Sequence, residues 1–454
     1  MRLSDLKKTP AVAQRFLAAG LNARAAAVKA DNLAWCAGAL AKTGLKGTDK
    51  VRVFFVPGRI EVLGKHTDYA GGRSVLATTD KGFVVVASAR PDNVVSISTN
   101  GYDVVQFEMD PDLAPQLGHW SNYPMTVARR VARNFPGTLQ GANMAFVSDL
   151  PPAAGMSSSS ALIVASFLAY SAVNGLDRRS EYTRNITTIE DLAGYLGTCE
   201  NGQTFGTLVG DKGVGTFGGS EDHTAILTCK PNTLNVYSYC PVRFERAVAV
   251  PKGYIFAIGA SGIVAEKTGA ALAKYNRASL LSRAVVQTWC KATGRKDANM
   301  AAALASSKKA SDEIRKALSQ SAHDEFTPAE LVRRFHHFLT ESVEIIPAAC
   351  DALAKGNLAE FGKQVDRSQW GTDALLGNQI PQTVFLARAA REAGAAAASA
   401  FGAGFGGAVW ALVAKAKADA IVQDWSERYQ KAYPDWAAKA QYFLTDAGPA
   451  AFEL

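Results

Sequence analysis

The sequence predicts a mixed helix-and-sheet protein in two domains, from three observations. The chain has 454 residues, more than a single core of ordinary size accommodates, so two or three packed units are expected. Its first hundred residues carry strand-like runs at Val51 to Val56, Phe83 to Ala87, Val94 to Ser98 and Val104 to Phe107, which suggest a mostly antiparallel sheet. The second half alternates helical stretches, 264–292 and 327–355, with strand candidates at 254–260 and 407–414. Pro251-Lys252-Gly253 reads as a junction, and a boundary near 240–253 gives an N-terminal domain of residues 1–245 and a C-terminal domain of residues 246–454.

Taken in order, residues 11–43 show Ala and Leu at helical spacing, and the run from Val51 ends at Pro57-Gly58 as a strand followed by a turn. A helical pattern covers Pro124 to Asn134. Asn143 to Val147 is a short apolar strand, followed by a tight loop and an apolar helix from Ala161 to Ala172. Leu234 to Tyr239 and Arg246 to Val250 resemble strands, and the Ala-rich run 393–400 has helix-forming composition.

Composition excludes several classes. Hydrophobic residues make up 48% and charged residues 20%, a globular balance rather than a disordered one. The net charge of +8 is scattered, and the densest basic spot, Arg129-Arg130 with Arg133, reads as one helix face. Nucleic-acid binders concentrate their charge, so no nucleic-acid partner is expected. The six cysteines contain no C-x-x-C pair, which argues against a disulfide framework or a zinc site and for a reducing compartment. The start, MRLSDLKKTP, lacks an apolar segment, and no run is long enough to cross a bilayer, so the expectation is a cytoplasmic protein without a membrane partner. In such a chain the sequon Asn185-Ile186-Thr187 is accidental.

Three segments carry chemistry. Pro151-Pro152-Ala153-Ala154-Gly155-Met156 leads into Ser157, Ser158, Ser159 and Ser160 at the start of a helix. Small residues leave backbone N–H groups free to meet an anion, and the helix adds its positive dipole end. Serine hydroxyls there can cap the helix or ligate Mg²⁺. A G-x-x-x-x-G-K-[ST] loop is absent, and Gly213 to Gly218 matches G-x-G-x-x-G without a strand running into it, so neither common nucleotide fingerprint applies. The segment 57–72 crowds Arg59, Glu61, Lys65, His66 and Asp68 between glycines, a density suited to a polyhydroxyl ligand, with Arg59 available to a phosphoryl group. Near the C-terminus runs Phe401-Gly402-Ala403-Gly404-Phe405-Gly406-Gly407.

In chain order, 57–72, 151–162 and 401–407, the three motifs resemble those of the GHMP small-molecule kinases and, among them, the galactokinases, over about residues 50 to 410. The resemblance implies an α+β fold, with an N-terminal domain like ribosomal protein S5 domain 2 and a ferredoxin-like C-terminal domain. It implies transfer of the ATP γ-phosphoryl group to the anomeric hydroxyl of galactose or a close relative, with Mg²⁺. Carried over by position, Asp222 is the catalytic base and Arg59 the arginine facing it, which would keep Asp222 ionised. Lys65, His66, Asp68 and Tyr275 fall at sugar-binding positions. Trp120, Tyr123, Gly155, Ser157, Ser158, Ser159, Ser160, Gly404 and Gly406 fall at ATP positions, and Ser159 and Glu200 at the metal.

The chain departs from the galactokinase pattern R-[VI]-N-x-x-G-E-H at Glu61 and Lys65. Either Lys65 selects an anionic sugar such as galacturonate, or Glu61 and Lys65 pair with each other and leave the pocket neutral. Other GHMP substrates, among them arabinose and a heptose, stay open. A rival of another class is a catalytically idle sugar sensor, against which stand Asp222, Arg59 and the serine loop.

Overall fold

The computed structural model describes residues 1–116, 118–151, 155–264, 269–402 and 404–454. Residues 152–154 of the serine loop, 265–268 of the expected helix and Ala403 of the glycine motif lie outside the described residues. The strands, in chain order, are β1 (Arg52–Leu63), β2 (Arg73–Ala89), β3 (Val94–Thr99), β4 (Val105–Glu108), β5 (Ala142–Ser148), β6 (Thr233–Ser238), β7 (Arg243–Ala249), β8 (Tyr254–Ala260), β9 (Ala397–Ala400), β10 (Ala408–Ala414), β11 (Gln441–Thr445) and β12 (Phe452–Glu453). They form two sheets. The first runs β12-β1-β2-β5-β3-β4, with β6 paired to the start of β2 and β7 to β6. Its ladders are antiparallel except β3 with β5. The second, β11-β8-β10-β9, is antiparallel throughout. Residues 250–253 carry the chain from β7 in the first sheet to β8 in the second.

Alternation along the strands explains the covered faces. Phe55, Val84, Val86, Ala145 and Val147 point to one side, where the helix Ala23–Ala41 packs with Leu33, Ala37 and Leu40. Phe54, Val56, Val85, Met144 and Phe146 point to the other, against the helices Asn122–Asn134 and Ser158–Asn174. Both faces are thus buried, so these strands read as nearly continuous apolar runs. The second sheet behaves alike: Phe256, Ile258, Trp410 and Leu412 join the same core, while Ala257, Val409, Ala411 and Val413 face the helix Ala418–Ala432 and its buried Trp425. Each fully buried large apolar side chain contributes about 1.5–3 kcal/mol.

Several elements differ from expectation. The stretch 11–43 is two helices, Thr9–Ala18 and Ala23–Ala41, parted at Gly20 (φ +102°), the second capped by Asn22, whose Oδ1 accepts from Ala25 N at 2.9 Å. β1 does not stop at Pro57 but runs on to Leu63, its register jumping from Pro57↔Gly82 to Arg59↔Thr78. Proline lacks a ladder donor and is tolerated at such a bulge. The run 393–400 ends in strand β9, all four residues buried beside β10. Gly362 lets its helix, Leu358–Gly371, approach this run closely: a Cβ on it would lie 2.4 Å from the Ala396 carbonyl oxygen. Tertiary packing overrides helix propensity there. The stretch 327–355 is helical but contains a π-helical segment, Thr340–Ile345. Arg129 and Arg130 are buried rather than a surface helix face; Arg129 Nε donates to Asp211 Oδ2 at 2.7 Å and Arg130 Nη2 to the Gln203 carbonyl at 2.7 Å. Among the described residues no helix is long and apolar enough to cross a membrane.

Candidate active site

A cavity of about 770 Å³ is walled by β1, β2, β5 and the loops at the starts of the helices Ser158–Asn174 and Glu221–Thr228. Beyond the bulge, Arg59 and Glu61 stand two residues apart on one face of β1 and line it. Arg59 binds three motifs together. Its Nε donates to Asp222 Oδ1 at 2.6 Å, its Nη1 donates to the Gly155 carbonyl oxygen at 2.8 Å, and its Nη2 lies 3.4 Å from Glu61 Oε2. Burial opposes the guanidinium charge, but Asp222, Glu61 and Glu221 outweigh it and raise its pKa. Burial pushes Glu61 up, an effect that Arg59 and Lys65 only partly offset.

The chain after β1 turns twice through the left-handed region. Gly64 has φ +108°, and a Cβ there would lie 2.5 Å from Ser74 Cα, so only glycine fits. His66, at φ +57°, lines the cavity, and its Nδ1 is 2.9 Å from the Tyr69 hydroxyl. Asp68 also lines it; its Oδ2 accepts from Glu221 N at 3.1 Å, and burial raises its pKa. Tyr275 reaches the cavity from the helix Gly269–Thr293, its ring 5.6 Å from that of His66, and a Cβ on Gly218 would meet the Tyr275 hydroxyl at 2.7 Å.

Lys65 is placed differently from both expectations. It is buried and off the cavity wall, with Nζ 3.5 Å from Ser368 Oγ. Ser368 Oγ donates to Glu341 Oε1 at 2.9 Å, and the same oxygen accepts from Gly64 N at 2.7 Å. The positive-φ residues on either side turn His66 into the cavity and Lys65 away from it. Glu61 takes Arg59 as its ion-pair partner, not Lys65.

Ser157 (φ +58°), Ser158 and Ser159 line the cavity at the start of the helix Ser158–Asn174. Ser160, however, is the serine whose hydroxyl reaches the carboxylates: Glu200 Oε2 at 2.7 Å and Asp222 Oδ2 at 3.2 Å. Glu200, at the end of the helix Ile189–Asn201, also has His223 Nε2 at 3.2 Å. Trp120 and Tyr123 line the aromatic part of the cavity, where the Trp120 ring stands edge-on to Phe146 at 5.5 Å between centroids. Gly404 and Gly406 do not line the wall. A Cβ on Gly404 would lie 2.2 Å from the Asn378 carbonyl oxygen, which marks a packing role. Gly402 is the wall residue of that motif; its N–H donates to Glu61 Oε2 at 3.0 Å, and a Cβ on it would come within 3.0 Å of the Gly155 carbonyl.

Sequence reasoning missed Glu221, His223 and Gly402, all of which line the cavity. The run Glu221-Asp222-His223 was the available signal: three polar side chains opening one short helix is more than capping requires.

The residues that match known families are distributed around this cavity. The model for the GHMP kinases N terminal domain matches residues 122–202, that for the GHMP kinases C terminal domain residues 349–431, and the galactokinase galactose-binding signature residues 45–89. A galactokinase of Fusobacterium nucleatum is 24% identical over 417 residues, covering 89% of this chain and 96% of the relative. One from a Roseiflexus species is 28% identical over 389 residues, covering 83% and 87%. In fold, the galactokinase of Lactococcus lactis, solved in complex with galactose, matches with a TM-score of 0.75 at 23% identity, covering 92% of this chain and 99% of that one. The mevalonate kinase of Methanococcus jannaschii matches with 0.52 at 12% identity, covering 89% and 99%. Family models and named relatives agree: the chain carries matches to both GHMP kinase domains and to the galactokinase galactose-binding signature, is similar to galactokinases over most of its length, and has their fold.

Proposed function

We propose that the chain transfers the γ-phosphoryl group of ATP to the anomeric hydroxyl of galactose, giving galactose 1-phosphate and ADP. The observation that carries this reading is the 2.6 Å contact of Arg59 with Asp222, beside a serine-rich helix start. Asp222 takes the proton as the anomeric O–H bond breaks; the freed oxygen bonds to the γ-phosphorus, and the bond from that phosphorus to the bridging oxygen of ADP breaks. Arg59 stabilises charge on the transferring group, and the N–H groups at the start of the helix Ser158–Asn174 hold the phosphates. Trp120 and Tyr123 pack on the adenine, while His66, Asp68 and Tyr275 orient the sugar.

The donors near the phosphate position suit Mg²⁺, since Glu200 and Ser160, with Ser159 on the wall, offer hard oxygen ligands. Among the described residues no ready-made cage of three or more His, Cys, Asp or Glu side chains exists, which fits an ion that keeps waters and phosphate oxygens around it. Bound there, Mg²⁺ would neutralise charge on the β- and γ-phosphates. The six cysteines are all free thiols, consistent with a cytoplasmic setting; the expected division at 245/246 falls inside β7, and the change of sheet at residues 250–253 is taken as the domain boundary instead. A uronic-acid substrate is disfavoured because Lys65, its only motivation, is turned to Ser368.

Asp222→Asn tests the reading: turnover of galactose falls by about 10²–10⁴-fold while an ATP analogue still binds. Full turnover by that variant removes Asp222 from the role of base.

A further inference from the structure

The cavity that would hold the sugar contains a carboxyl group with an unpartnered oxygen. Glu221 is 6% exposed and lines the cavity, and its Oε1 is fully enclosed with no hydrogen-bond partner among the described residues. Glu61, 3% exposed and on the same wall, likewise has one enclosed oxygen, Oε1, without a partner. Such atoms are costly to bury, and where they persist a ligand or water commonly completes them. The backbone of Glu221 is fixed by its N–H bond to Asp68 Oδ2 at 3.1 Å, which ties its start-of-helix position to the loop bearing His66.

Charge narrows what that ligand is. Glu61, Asp68, Glu200, Glu221 and Asp222 line one cavity in which the only Lys or Arg among the described wall residues is Arg59. Arg59 is already shared by Asp222 and Glu61. A further anion beside these groups meets like charge at short range, whereas hydroxyl groups offer the donors that the orphaned oxygens lack.

We propose that Glu221 is a further substrate-binding residue, which with Glu61 meets hydroxyl groups of an uncharged sugar and excludes sugar acids. This rests on the sugar-kinase reading above. Neither residue takes part in the proton or phosphoryl transfer; their role is selection.

The test is calorimetric titration of galactose and of galacturonate into the full chain with a non-hydrolysable ATP analogue present. Wild type should bind galactose at least about tenfold more tightly than galacturonate. Glu221→Gln, nearly isosteric, should shrink that ratio by about fivefold or more because it replaces one carboxyl oxygen with an N–H donor that the carboxylate of a sugar acid can accept from. Glu221→Ala should weaken galactose binding by about tenfold with the affinity for the analogue unchanged. The proposal is overturned if wild type does not discriminate, or if the ratio is the same in Glu221→Gln. Should Glu221→Ala fail to fold, the Gln ratio decides alone. If wild type binds and phosphorylates no sugar at all, the sugar-kinase reading itself fails and this assignment falls with it; unchanged ratios in an active enzyme sink only the role of Glu221.

Discussion

Arg334 Nη2 donates a 2.5 Å hydrogen bond to the carbonyl oxygen of His66, so a helix of the C-terminal half, Pro328–Leu339, holds the loop that presents His66 and Asp68 to the cavity. Arg334 is fully buried and lies over the Tyr69 ring at 5.9 Å. Its removal frees a backbone at φ +57°, which a histidine rarely keeps unaided.

Arg334→Met should therefore raise the galactose KM by about tenfold and leave the ATP KM unchanged, at a stability cost of about 1–3 kcal/mol. Arg334→Lys should recover part of both losses. Steady-state kinetics with each substrate varied, alongside thermal melts, separate the two effects; equal changes in both KM values would contradict a role confined to the sugar loop.

Ser160 bridges Glu200 and Asp222, and its hydroxyl fixes the orientation of both. Ser160→Ala should weaken metal affinity by about 10–100-fold and move the Mg²⁺ dependence of the rate to higher concentration. Rates measured across a Mg²⁺ series at saturating ATP and galactose check this, and an unmoved curve would rule out Ser160 as an organiser of the metal carboxylate.

Trp120 presents its ring among Tyr102 and Phe146. An aromatic contact of this kind contributes about 0.5–1.5 kcal/mol, so Trp120→Ala should weaken binding of an ATP analogue by about 3–10-fold without altering galactose affinity. Weakened galactose binding with intact nucleotide binding would instead place the aromatic wall at the sugar.

Burial raises the pKa values of Glu61, Asp68 and Glu221. The native state keeps protons that the unfolded chain releases, so this contribution to stability is complete below the ordinary carboxylate range, about 4, and is lost as pH rises through the elevated native values. Carboxylates of the opposite kind, such as Glu330, held down to about 2 by the Thr327 backbone and hydroxyl and by Arg277, act only in acid. The ligand-free protein should thus melt at a higher temperature near about pH 5.5 than near about pH 8, and Glu221→Gln should flatten the difference. Buried His337, whose pKa is pushed well down by burial and by Arg334, works the other way over the same interval, so the comparison with the wild type decides: a profile unchanged in Glu221→Gln would show that its carboxyl is ionised at no cost.

Much of the site was legible because its signals are local. The serine-rich helix start and Arg59 follow from residue type and order, Asp222 from the resemblance to the galactokinases, and the structure brings the three together. What stayed hidden depends on backbone turns and on contacts between distant segments. Lys65 looks like a cavity residue until the left-handed turns at Gly64 and His66 rotate it away. Ser159 and Ser160 are equivalent in a string of serines, and only the helix phase decides which reaches Glu200. The fold shows the same division: β8 and the second half of β2 are evident from their apolar runs, whereas β9 is a strand only because β10 and the helix Leu358–Gly371 lie beside it.

The continuation of β1 through Pro57 gives one strand two duties, with Phe54 and Val56 in the core and Arg59 and Glu61 at the cavity. Glu61 is held in register opposite Leu76 and bonded to Gly402, so a substitution there disturbs sheet and cavity at once. Glu221, by contrast, opens an eight-residue helix, Glu221–Thr228, that belongs to neither sheet. Laboratory evolution towards other sugars should accordingly find most of its tolerated changes around position 221 and few on β1.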